Sequence, residues 1–116
     1  MGIVYYANYL VWFEVARTEF FRHIGLDYRE LEEKSKIYLP VVEARCRYRY
    51  PIKYDDQIFV IVSILPPKNA RINFVYEVRN SSRLCAEGET RHTFVNSGGN
   101  PIRIPEEVKR KLINVV

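Results

Sequence analysis

Hydrophobic residues follow one rhythm up to about residue 25 and another from about residue 42. In the first part, at 100° per residue, Leu10, Phe13, Ala16, Phe20, Phe21 and Ile24 share a broad apolar arc. Val11, Trp12 and Val15 add apolar surface on the other sides, so this helix is expected to be wrapped by the rest of the chain. Asn8 is the expected N-cap, since its side chain can accept from the free amides of a first turn. Gly25 is the expected stop, with Arg22 and His23 at the negative end of the helix dipole. Arg17 falls inside the apolar arc and Glu14 at its edge. Two readings of Glu14 stay open: an internal ion pair with Arg17, or a carboxylate beside a substrate.

Residues 26–36 form a polar connection with a short helix expected at 29–33. Beyond it the period becomes two. Val42, Ala44, Cys46, Tyr48 and Tyr50 alternate with Glu43, Arg45, Arg47 and Arg49, a half-buried strand pattern. Residues 57–65 are apolar on both faces and predict a central strand. Pro66, Pro67, Lys68 and Asn69 break it. Ile72, Phe74, Tyr76 and Val78 mark a third strand, closed by a hairpin at Asn80, Ser81 and Ser82. Leu84, Ala86, Thr90, His92 and Phe94 mark a long fourth strand. Pro105, Glu106 and Glu107 open a short closing helix with lysines near its end. One long helix, four strands and a small helix predict an α+β domain over residues 1–116, with an antiparallel sheet curved around the helix.

Composition changes this picture little. A chain of 116 residues, 47% apolar, can bury a core without metals or disulfides. Its net charge of +4 suits anionic ligands such as phosphates but is too small to diagnose nucleic-acid binding. Cys46 and Cys85 have no framework or metal spacing and are expected as buried free thiols in a reducing compartment. With no basic leader and no apolar run of ~18 residues, a cytoplasmic protein without membrane insertion is expected. Tyr6 stands where a myristoylation signal needs Ser or Thr.

Conventional chemistry is missing from the pattern. No phosphate-binding glycine motif occurs, and His23 and His92 are too far apart for a metal pair or a nucleophilic triad. His92 is expected as a satisfied strand residue and His23 as a helix-end cation. The Arg45, Arg47 and Arg49 stripe could suggest nucleic acid, but the interleaved tyrosines point to the opposite face. A solvated face paired with Glu77, Glu87 and Glu89 is the better expectation. What remains is the entry to the first helix, whose unpaired amides could stabilise the oxyanion formed when a thioester carbonyl is attacked. Gly2 would let the backbone come close to the acyl group.

The segment "GIVYYANYLVWFEVARTEFFR" (residues 2–22), with "YRYPIKYDDQIFVIVSI" and the late "AEGETRHTFV" and "NPIRIPEEV", resembles hotdog-fold acyl-CoA thioesterases of the 4-hydroxybenzoyl-CoA thioesterase family. The resemblance covers nearly the whole chain. It implies an antiparallel sheet wrapped around one long central helix, hydrolysis of acyl-CoA to free acid and CoA, no cofactor or metal, and a homodimer or homotetramer. By the same resemblance Gly2 is the signature glycine, and Tyr6 presents its backbone N–H to the thioester carbonyl. Glu14 takes an acidic position facing the acyl group. Tyr5, Asn8, Tyr9 and Trp12 line the substrate, and Lys68 and Arg71 face its nucleotide. The family's catalytic aspartate stands three positions before the glycine, so it and its strand would precede Met1. The expectation is a domain incomplete at its N-terminus; the alternative is a non-catalytic acyl-CoA or acyl-carrier-protein binding module of the same fold.

Overall fold

The computed structural model describes residues 2–81 and 83–115. Along the chain run α1 (Ala7–His23), α2 (Tyr28–Lys34), β1 (Val41–Tyr48), β2 (Ile58–Ile64), β3 (Arg71–Asn80), β4 (Arg83–Thr93) and α3 (Glu106–Leu112). The strands form one antiparallel sheet in the order β1-β4-β3-β2. The last and longest strand lies inside the sheet, between β1 and β3. The hairpin at Asn80 and Ser81 joins β3 to β4, with Ser81 at φ 55; Ser82 lies outside the described residues.

Helix α1 packs on this sheet along a single ridge. Its buried residues are Tyr9, Phe13, Arg17 and Phe21, spaced every fourth position. Phe13 stacks on Tyr76 with ring centroids 4.3 Å apart and planes at 11°. Phe21 meets Phe74 at 5.5 Å. This close approach depends on Gly88, which sits between Cys46 of β1 and Tyr76 of β3. A Cβ at Gly88 would overlap the Phe13 ring. Val108 and Leu112 of α3 complete the core, and Lys111 donates to the Gly25 carbonyl at 2.6 Å, tying α3 to the end of α1.

Several expectations need correction. Residues 57–65 are not a central strand: β2 is at the sheet edge, with Phe59 and Ile61 facing solvent. Apolarity on both faces is equally the pattern of an edge with something to cover, and only the strand order separates the two. At the other edge, β1 is exposed along most of both faces, with Cys46 half-buried. Its Tyr48 meets Tyr9, but the rest of α1 lies over β4, β3 and β2. Leu10 is 43% exposed, because the ridge that packs is set by Phe13 and not by the centre of the sequence arc.

Asn8 is not the N-cap either. Tyr6 holds that place in αR geometry with no side-chain cap, and Asn8 lies inside the helix. The entry is fixed by the main chain instead. Val4 N–H donates to the Ile52 carbonyl at 2.7 Å, and Tyr54 N–H to the Gly2 carbonyl at 3.3 Å. The chain then turns at residues 5–6, with Asn8 N–H donating to Tyr5 and Tyr9 N–H to Tyr6.

The arginine stripe behaves as expected of an ion-paired face. Arg45 and Arg91 both hold Glu89, at 3.1 and 2.9 Å, and Arg49 holds Glu87 at 2.6 Å. The Arg91 guanidinium, with that of Arg45, holds the Glu89 carboxyl below its usual range.

Candidate active site at the entry to the first helix

Residues 2–6 bring the chain to the helix along the 50–54 loop, and a cavity of about 500 Å³ opens between them. Its walls are mostly tyrosine: Tyr5 and Tyr6 from the entry, Tyr9 from α1, and Tyr48, Tyr50 and Tyr54 from the end of β1 and the loop after it. Ile52 forms a buried floor. Tyr5 and Tyr6 pack together at 4.5 Å, and Arg83 covers the Tyr50 ring at 4.0 Å.

Gly2 has φ 72, the left-handed region that favours glycine. Nothing lies within 4 Å of where its Cβ would stand, so the requirement is conformational and not one of space. Beyond it, the amides of Tyr6 and Ala7 donate to no acceptor among the described residues. They stand at the positive end of a 17-residue helix, where an anionic oxygen is favoured.

The other site residues expected from sequence scatter. Tyr5, Tyr6 and Tyr9 line the cavity, and the Gly2 carbonyl is bonded to Tyr54 of its wall. Asn8 is half-buried and does not line it. Trp12 lines a separate apolar groove of about 750 Å³ between α1 and Ile58, Val60 and Val62 of β2. Glu14 is exposed on the flank of α1 away from that groove and lines neither space. The expected Glu14 to Arg17 pair does not form, because Arg17 turns inward and donates to the Tyr76 hydroxyl at 3.1 Å. Lys68 and Arg71 sit at the far end of the sheet within this chain. Arg71 opposes Thr93, whereas Tyr48 opposes Ala86 on the same strand. Seven residues of strand separate those positions (93 − 86 = 7), about 23 Å at 3.3 Å per residue.

Sequence reasoning passed over Tyr48, Tyr50, Ile52 and Tyr54. Their signal was the run of tyrosines around Pro51, but nothing in the pattern says that this loop folds against residues 2–4.

Beneath α1 lies a second polar group that the sequence did not announce. Arg17 donates to Tyr76, the Tyr76 and Thr90 hydroxyls are hydrogen-bonded at 2.6 Å, and Thr90 meets His92 Nε2 at 2.8 Å. Burial pushes the Tyr76 and Tyr28 phenols up, and the Arg17 guanidinium opposes that shift. Burial and then the nearby Arg17 charge pull His92 down to about 4, against the backbone of Leu39. Its Nδ1 is buried without a hydrogen-bond partner, so the expectation of a satisfied histidine holds at one ring nitrogen. No group of three or more His, Cys, Asp or Glu side chains able to hold a metal occurs among the described residues.

A family model described as the thioesterase-like superfamily matches residues 1–112. The chain belongs to that superfamily. Its similarity to named relatives runs along most of its length. The acyl-CoA thioesterase YbgC of Haemophilus influenzae is 29% identical over 109 residues, covering 93% of this chain and 80% of the relative. The structure of a hypothetical protein from Thermus thermophilus superposes with a TM-score of 0.93 at 31% identity, covering 100% of this chain and 88% of that one. A DHNA-CoA thioesterase from Staphylococcus aureus superposes with a TM-score of 0.91 at 28% identity, covering 99% and 80%. The α+β hotdog architecture implied by the sequence is therefore the one found. Within the thioesterase-like superfamily this chain combines a glycine-led helix entry, free entry amides and a tyrosine-walled cavity in one place.

Proposed function

We propose that this chain binds acyl-CoA thioesters at the entry to α1 and hydrolyses them to free acid and CoA. The observation that carries this reading is the pair of acceptor-free amides, Tyr6 and Ala7, beside the tyrosine-lined cavity. The thioester oxygen takes those amides, and the acyl group lies against Tyr5, Tyr6 and Tyr9. As attack proceeds the oxygen gains negative charge, and donors already in place stabilise that charge without reorganising. Gly2 holds the left-handed turn that aims the segment. Water activation needs a carboxylate, which the resemblance puts three positions before Gly2. Glu14 is a weaker candidate, since it lines neither cavity.

Membership of the superfamily and the names of its relatives support the reaction class. Exposed apolar side chains at both sheet edges, Val41 and Val42 on β1 and Phe59 and Ile61 on β2, support a homodimer or homotetramer. In such an assembly Lys68 and Arg71 would serve a nucleotide bound by a neighbouring copy. Residues 1–112 match one family model, which supports a single domain. The free thiols of Cys46 and Cys85 fit a cytoplasmic protein, and no helix among the described residues is long and apolar enough to cross a membrane.

Thiol release from an acyl-CoA series, with acyl-CoA binding measured beside it, tests the reading. Release of free CoA thiol is expected. Binding of acyl-CoA with no release would favour the binding module.

A further inference from the structure

The hydroxyl of Tyr48 reaches from the end of β1 to the main chain at the start of α1. It lies 3.3 Å from the Tyr6 carbonyl oxygen. A carbonyl only accepts, so Tyr48 is the donor. The same oxygen also accepts from Tyr9 N–H in the first turn of the helix, at 3.2 Å. The Tyr9 side chain in turn holds the Tyr48 ring edge-on, with centroids 4.9 Å apart. Burial pushes the Tyr48 phenol up to about 12, so the hydroxyl keeps its proton through the neutral range.

A peptide group is planar, so fixing the Tyr6 carbonyl also fixes the Ala7 N–H on the other side of the same plane. That N–H is one of the two entry amides with no acceptor among the described residues. The first turn of a helix frays readily, and here no side chain caps it. We propose that Tyr48 is a positioning residue for the thioester site, holding the Tyr6–Ala7 peptide so that its amide keeps one direction into the tyrosine-lined cavity. The proposal rests on the thioester reading above. A donor that wanders binds the neutral carbonyl almost as well as a fixed one. It serves the oxyanion less well, so the loss falls on kcat and not on KM.

Tyr48→Phe keeps the ring and its contact with Tyr9 and removes the hydroxyl. The test measures acyl-CoA hydrolysis, wild type beside variant, with a thermal melt and the amide NMR signal of Ala7. Expected are a fall in kcat of roughly three- to tenfold, KM held within about twofold, an unchanged melt, and a shifted or broadened Ala7 signal. An unchanged kcat overturns the proposal, and so does a loss confined to KM, which would make Tyr48 a contact for the ligand. If the variant does not fold, trifluorotyrosine at position 48 takes its place. Its hydroxyl ionises at lower pH, so kcat must fall with rising pH where the wild type stays level; parallel profiles overturn the proposal. A wild type that releases no thiol removes the thioester reading and this proposal together. An active wild type with an unaffected variant removes only the proposal.

Discussion

Gly88 is the point at which one atom decides whether α1 can lie on the sheet. The Phe13 ring fills the place of a side chain there and stacks on Tyr76 beside it. Gly88→Ala must push the ring, and with it the helix, off the strand, at a cost of about 1–3 kcal/mol. Urea denaturation should show that loss, and Phe13→Leu in the same chain should return part of it. His92 gives the residue scale a pH dependence. Its folded value, near 4, lies below the 6.5 of a free histidine, so the unfolded chain binds more protons between those limits. Stability is full above pH 6.5 and is lost as pH falls toward 4, by about 3 kcal/mol in all. Denaturation midpoints between pH 7 and 5 should fall with this slope, and His92→Gln should flatten it. Because the Arg17 charge adds to the shift, Arg17→Met should raise the His92 titration seen by NMR. No movement would remove Arg17 as a cause.

At the scale of elements, the entry of α1 and the β2 edge are set by different forces. The helix begins where residues 2–4 bond to the 52–54 loop, so its start depends on a contact nearly fifty residues away and not on Asn8. Among the described residues strand β2 has a hydrogen-bonded neighbour on one side only, β3, and it exposes Phe59 and Ile61. An apolar free edge invites pairing with another chain. Ile61→Lys tests the proposed homodimer or homotetramer along this edge: the variant should show a smaller mass than the wild type in light scattering, with the monomer fold intact by circular dichroism. An unchanged mass would mean that the subunits do not meet along this edge.

For the molecule as a whole, the proposed function requires that the helix entry and its cavity form together, since in that reading the amides would supply charge stabilisation and the tyrosine walls the surface for an acyl group. The sequence by itself determined more of this than its lack of conventional motifs suggests. The long helix, all four strands, the closing helix, the buried faces of β3 and β4, and the ion-paired arginine face were legible. Each follows from a local period or from alternation that solvent exposure enforces. The glycine-led segment also indicated the superfamily. Tertiary structure alone decided the strand order, which made β2 an edge although its composition looks central. It also took Arg17 inward to Tyr76, Thr90 and His92 and left Glu14 outside. It joined Tyr48, Tyr50 and Tyr54 to Tyr5, Tyr6 and Tyr9 across some forty residues of chain, and carried Lys68 and Arg71 to the far end of the sheet. Periodicity records which face of an element is buried. Which element lies against that face is set by chain crossings and by close approaches such as Phe13 over Gly88, which leave no local trace in the order of residues.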